Sequence, residues 1–172
     1  HTRAIVVAHI SGEPADMDPI LEIANSRNIP VIEDCAQAHG ATYKDRLVGT
    51  MGTAGAFSTM SGKHHATAAQ GGVVFTKDEN LYWRIKRFSD RGKPFNLDAT
   101  SNPRAGLNLN GTDLSAAVGR VQLKKLPEIT RRRQQAAHII LDGIRDLVSV
   151  SAKEMSKGTD SAYWFMPIQV DQ

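Results

Sequence analysis

Four side chains stand out by type and spacing. Asp34 closes a short, apolar, β-branched run, and Gln37 follows three residues later. Ser58 closes a second strand-like run, and Lys63 lies five residues beyond it in a loop of small residues. Open α/β sheets bind ligands in the crevice at the carboxyl ends of their parallel strands, so an acid, an amide, a hydroxyl and an amine delivered there would share one site. Lysine is the residue that forms Schiff bases, and a desolvated lysine is nucleophilic near neutral pH. An aspartate at the far end of an aromatic cofactor would hold a ring nitrogen protonated, which is what pyridoxal phosphate needs to act as an electron sink. On residue types alone this is a suggestion, because a lone loop lysine is more often an ordinary surface residue.

Other chemistries fit less well. Gly62-Lys63 would need glycine at 57 and Ser or Thr at 64 to be a phosphate loop, and those positions hold Phe57 and His64. A dinucleotide fingerprint after the first strand fails, since Gly12 is the one glycine between Val7 and Asp16. His64, His65 and Cys35 match no zinc spacing, and no metal is expected. Cys35 is the single cysteine, which excludes an internal disulfide; a small apolar residue after a strand, it reads as core before it reads as a nucleophile. No apolar run reaches the 18 or so residues of a membrane span, and the first ten residues lack the layout of a signal peptide, so a reducing cytoplasm is expected.

The elements that must position these side chains follow from pattern. Residues 4–8 form a continuous apolar run that reads as a strand buried on both faces. Asp18 followed by Pro19 reads as an N-cap with proline at the first helical position, and Ile20, Leu21, Ile23 and Ala24 give that helix its apolar stripe. Residues 30–34 supply a second buried strand ending in Glu33 and Asp34. Strand, helix, strand with short links is a βαβ unit and implies a parallel sheet. Residues 55–58 and 72–76 are further strands flanking the lysine loop. Asp78 caps a helix bearing Leu81, Trp83, Ile85 and Phe88, which ends at residues 91–94. A polar loop of roughly twenty residues follows, of the kind that is usually functional. Asp113 opens a helix toward Leu126, Pro127 opens a second to about Leu147, and residues 163–170 read as a last strand.

The chain has 172 residues, 41% apolar and 23% charged, the composition of a globular domain of ordinary size. Charge is uneven. Residues 61–133 carry fourteen Lys or Arg against six Asp or Glu, while the segments on either side are net acidic. The basic middle suits phosphate-bearing ligands or nucleic acid, or equally a set of solvated helix faces.

The string Val-Ile-Glu-Asp-Cys-Ala-Gln-Ala-His-Gly-Ala at 31–41 resembles the cofactor segment of the DegT/StrS sugar aminotransferases, a branch of the fold-type I pyridoxal-phosphate enzymes. So does Gly-Ala-Phe-Ser-Thr-Met-Ser-Gly-Lys at 55–63. His9, Gly12 and residues 14–18 are similar to that family's preceding strand and helix start, and Gly-Leu-Asn at 106–108 with residues 116–123 to its Gly-x-Asn loop and following helix. The order and spacing of these segments run through residues 4–170. The resemblance implies an α/β fold, a mostly parallel sheet with flanking helices, forming part of the large cofactor domain. It implies Lys63 as the Schiff-base and proton-shuttling residue, Asp34 on the pyridinium nitrogen, Gln37 at the ring or its 3-hydroxyl, Ser58 on the phosphate, and Asn108 on the phosphate of a neighbouring subunit in a homodimer with shared sites. It implies transfer of an amino group from glutamate or glutamine to the keto group of a nucleotide-linked sugar or a keto-cyclitol, in polysaccharide or aminosugar synthesis, with neither nucleic acid nor membrane as partner.

The chain departs from the family at Ala-Gln-Gly-Gly, 69–72, where Gly-Glu-Gly-Gly is usual. It departs again at Gly-Leu-Asn-Leu-Asn, 106–110, where Gly-Tyr-Asn-Tyr-Arg is common. An aromatic and an arginine facing the substrate are thereby replaced. Relatives with histidine in place of the lysine dehydrate sugars; Lys63 is in register, which favours amination. The alternatives are a dehydrating or aromatising relative and a non-catalytic sensor or interaction module. The expected organisation is residues 1–126 as part of the large domain, 127–160 as a linking helix and 161–172 as the start of a small domain, the whole a central piece of a longer protein.

Overall fold

A computed structural model describes residues 1–153 and 155–171; Glu154 and Gln172 lie outside the described residues. The chain opens with β1 (Ile5–Ala8), a 3-10 turn at Ile10–Gly12, helix α1 (Met17–Ser26) and β2 (Val31–Asp34). A short hairpin, β3 (Thr42–Tyr43) and β4 (Arg46–Leu47), precedes β5 (Ala54–Ser58) and β6 (Gly72–Phe75). Helices α2 (Glu79–Ser89) and α3 (Asp113–Ile144) follow, then β7 (Val150–Ala152), β8 (Thr159–Asp160) and β9 (Ile168–Val170). The main sheet runs β1-β2-β5-β6, with β1, β2 and β5 parallel and β6 antiparallel at the edge.

The βαβ unit is as the pattern implies, and its core lies on one face. Val7, Met17, Ala24, Val31 and Tyr43 close one cluster between α1 and the sheet; Cys35, Ala38, Ala41, Val48 and Ala162 close a second beneath the lysine loop. The other face of the sheet is uncovered, with Val6 66% and Val74 52% exposed. The strand at 4–8 is therefore buried on one face only in this chain, because helix α1 and the hairpin lie on the same side.

Four local expectations are corrected. Asp18 is not the cap of α1: Asp16 occupies that position, and Asp18 sits inside the first turn, paired with Lys44 and Arg46. Pro19 is tolerated there because first-turn amides lack intrahelical acceptors. Asp113 is likewise inside α3, which is capped by Thr112 through its Oγ1 and the Ser115 amide. Pro127 does not start a new helix; α3 runs 32 residues straight through it. Proline's fixed φ is helical, so the cost is one missing amide and crowding against the carbonyl four residues earlier, and packing along α3 offsets it. Finally, within 163–170 only Ile168–Val170 is strand, paired with β7. Residues 161–167 form an irregular strap, bound by side chains and by two backbone bonds to the turn after β1 instead of a ladder. Asp78 caps α2 as its position implies, accepting from the Asn80 and Leu81 amides.

Candidate active site

The parallel register places the first site residues. Ala8 pairs with Asp34 and Asp34 with Ala56, so all three lie at one level at the carboxyl ends of β1, β2 and β5. Side chains alternate across a strand, which puts Ser58 on the same face as Ala56 and Asp34. Asp34 is exposed there; its Oδ1 accepts from the Ala36 amide at 3.0 Å, and Oδ2 has no hydrogen bond among the described residues. Gln37 turns back toward the β1 end, its Oε1 accepting from the Ser11 amide at 2.7 Å, which leaves the amide NH2 as its donor.

The neighbour of Asp34 faces the other way. Glu33 is fully buried and accepts from His9 Nε2 (3.1 Å) and from the amides of Gly49 (2.6 Å), Met51 (2.8 Å) and Gly52 (2.6 Å). His9 Nδ1 accepts from the Ala15 amide at 3.0 Å, so the ring is the neutral tautomer with its proton on Nε2. Burial opposes the Glu33 charge, but these four donors outweigh it and hold the carboxyl below its ordinary range. His9, Glu33 and Cys35 bring three potential metal-ligand atoms within 4.8 Å of one another. Yet the lone pairs of Glu33 and His9 are already committed to hydrogen bonds, so the arrangement is a structural anchor. The Cys35 thiol is pushed up by burial and by the Glu33 and Asp34 charges, which keeps it protonated and unreactive.

Beyond Ser58 the chain closes a loop at its neck. Thr59 donates its amide to Gly71 O and accepts from the Thr67 amide, and Thr67 Oγ1 bonds Thr59 as well. Within the loop, the half-buried Lys63 places its Nζ 4.5 Å from the ring centre of Trp164. The histidines after it are tethers, not free polar residues. His64 Nε2 lies 2.9 Å from Ala162 O on the strap, and His65 Nε2 lies 3.0 Å from Gly119 O on α3. Carbonyls only accept, so both rings donate. His39, 3% exposed, packs against Phe57 and His64, with neither ring nitrogen bonded among the described residues. Burial, then the His64 ring nearby, pushes it down to about 4. His64 is lowered too, first by burial.

Asn108 is not gathered with the others. It bridges Asp90 at the end of α2, and its Oδ1 accepts from Asn110 Nδ2 at 2.9 Å. Asp90, buried and bonded by Asn110, Arg91 and Lys93, is held well below the usual carboxylate range and organises the long loop. Glu33, His39 and Trp164 escaped the sequence reading as site residues. Glu33 had one available signal, an acidic residue inside an alternating apolar strand, which must be either exposed or fully bonded.

All of residues 1–172 match the model of the DegT/DnrJ/EryC1/StrS aminotransferase family. The chain belongs to that family. Its relatives include GDP-perosamine synthase of Escherichia coli, 37% identical over 167 residues, covering 97% of this chain and 45% of that protein. L-glutamine:2-deoxy-scyllo-inosose aminotransferase of Streptomyces fradiae is 35% identical over 175 residues, covering 95% of this chain and 40% of that protein. Among solved structures, DesV of S. venezuelae in complex with a ketimine intermediate superposes with a TM-score of 0.92 at 31% identity, covering 98% of this chain and 45% of that one. The chain thus spans somewhat under half the length of the relatives it matches. The large-domain α/β architecture expected from the sequence is that of these aminotransferases.

Proposed function

We propose that the protein containing this chain is a pyridoxal-phosphate-dependent aminotransferase that moves an amino group from glutamate or glutamine to the keto group of a nucleotide-linked sugar or keto-cyclitol. The observation that carries this reading is the placement of Asp34, Ser58 and the Lys63 loop at the carboxyl ends of adjacent parallel strands, in a chain of an aminotransferase family. The residues present fit the cofactor. Asp34 has one carboxylate oxygen unengaged, Gln37 keeps a free amide donor, and Lys63 has no carboxylate partner among the described residues. Bound there, pyridoxal phosphate supplies the electron sink that labilises bonds at an amine-bearing carbon.

The chain's own residues divide the remaining work. Asp34 would hold a proton on the ring nitrogen. The Ala36 amide on Oδ1 fixes the direction of that carboxylate and leaves Oδ2 facing the site. Ser58 Oγ and the loop after it would hold the phosphate, and Lys63 Nζ would be the amine that carries the cofactor and moves a proton between donor and acceptor carbons. Asn108, exposed on the loop beside α2, reaches a neighbouring subunit's phosphate in a homodimer. A linking role for α3, which runs Asp113–Ile144 and not 127–160, a strap that opens a small domain, and an enzyme working in the cytoplasm belong to the same reading. No described helix is long and apolar enough to cross a membrane.

The test uses the full-length protein: pyridoxal phosphate is added, the adduct reduced with borohydride and the peptide mapped, and candidate keto-sugar nucleotides are then offered with glutamate or glutamine. A reduced adduct on Lys63, lost in Lys63→Ala, together with donor consumption equal to amine formed, is the expected result. No adduct would overturn the cofactor reading. Turnover without donor consumption would replace amination by dehydration.

A further inference from the structure

The strap at residues 161–167 is held from three sides. Arg133 Nη1 and Gln134 Nε2 of α3 donate to Tyr163 O (2.9 Å) and Ser161 O (3.0 Å). His64 donates to Ala162 O from the lysine loop. The turn after β1 contributes Gly12 O, which accepts from the Ala162 amide, and Ser11 O, which accepts from the Phe165 amide. Tyr163 has φ 48°, a left-handed conformation uncommon for a bulky residue, and it persists because its neighbours on both sides are fixed. At Gly12 an added Cβ would lie 2.8 Å from the Tyr163 and Trp164 amides, so the strap and the turn are in backbone contact.

This much anchoring delivers one side chain to the site. The half-buried Trp164 indole lies 4.5 Å from Lys63 Nζ, 5.8 Å from the Arg133 guanidinium carbon and 5.4 Å from the His64 ring. An ammonium over an indole face is attracted by the ring's quadrupole, most strongly where water is partly excluded. Lys63 otherwise has three or more rotatable bonds and no carboxylate partner among the described residues, so its orientation would be free without the ring.

We propose that Trp164 is a positioning residue for Lys63: the indole holds the ε-ammonium at the site before the cofactor is bound, and the strap's bonds to α3 and the His64 loop fix the indole. The proposal rests on the reading of Lys63 as the cofactor-binding lysine, and assigns the strap a role in the site that its distance along the chain conceals. Pre-orienting one reacting group lowers the entropic cost of forming the bond, so cofactor capture is the step that responds.

The experiment uses the full-length protein freed of cofactor, as wild type, Trp164→Phe and Trp164→Leu. Two rates are measured at one pH: acetylation of Lys63 by acetic anhydride, with Lys77 and Lys124 as internal references, and capture of pyridoxal phosphate trapped by borohydride. Without the ring, the Lys63 amine is no longer held against and shielded by the indole, so acetylation in Trp164→Leu rises about two- to tenfold while capture falls by a similar factor. Trp164→Phe, which keeps an aromatic face, falls between. The reference lysines do not change, which separates this outcome from unfolding; if they do change in Trp164→Leu, the phenylalanine variant decides. Unaltered acetylation and capture at Lys63 in both variants would overturn the proposal. Failure of the wild type to capture pyridoxal phosphate would overturn the function instead, and the acetylation rates would still report the Trp164–Lys63 contact.

Discussion

Glu33 and Asp34 are adjacent acids with opposite tasks, separated by the alternation of a strand. Asp34 presents its carboxylate at the carboxyl end of an interior strand, whereas Glu33 engages four donors inside the fold. Glu33→Ala should destabilise the protein by about 3–5 kcal/mol, since it strands buried amides and the His9 N–H. Glu33→Gln should lose less, because one carbonyl oxygen still accepts. Urea unfolding of the two variants checks the order. Asp34→Asn, by contrast, touches no buried donor and should leave the unfolding midpoint within about 0.5 kcal/mol of wild type. Pyridoxal phosphate binding and turnover should nevertheless fall sharply, as absorbance titration and amine formation would show.

At the scale of elements, the lysine loop is positioned by contacts between pieces remote in sequence. Gly119 lets α3 approach the loop: a Cβ there would stand 2.9 Å from Thr67 Cγ2. Alanine at 119 should gain about 1 kcal/mol from helix propensity, and the clash, about 1–3 kcal/mol for an overpacked contact, should reverse the sign. Thr67→Ser keeps the hydroxyl bonds to Thr59 and removes the clashing methyl. The double variant Gly119→Ala/Thr67→Ser should therefore be more stable than the sum of the singles, which a double-mutant cycle by thermal unfolding measures. Helix α2 offers a simpler test: Asp78→Ala removes the acceptor for two first-turn amides and should cost about 1 kcal/mol.

For the molecule as a whole, buried ionisable groups set the response to acid. His39 titrates near 6.5 when free and about 4 in the fold. Between those values the unfolded chain binds a proton that the fold excludes, so stability rises with pH across the window and levels off above it. A separation of that size is worth at most about 3 kcal/mol. His64 is lowered in the same sense and adds to the loss on acidification. Glu33, held below its ordinary 4.5, extends the loss further down as its carboxylate is protonated. Unfolding midpoints should therefore fall steadily from about pH 6.5 to 4, and His39→Leu should flatten that slope while leaving the loss below 4.5 in place.

The βαβ order, the α2 cap and the positions of Asp34, Ser58 and Lys63 were legible in the residues, because strand periodicity, capping and strand-end placement are local properties. The family was legible too, since its motifs recur in order through the chain. Helix α3 is one helix where Pro127 implies two, because proline's local preference is overruled by contacts along both its halves, at Gly119 and at Arg133 and Gln134. The strap is irregular where its pattern implies strand, because an apolar run does not reveal that its backbone is bonded by Arg133, Gln134 and His64 side chains and by the Ser11 and Gly12 carbonyls. Glu33's burial, the tethering by His64 and His65, and the Trp164–Lys63 contact depend on segments up to about a hundred residues apart in sequence. Such pairings are fixed by which faces remain to be covered once the local elements have formed, and that is decided in three dimensions.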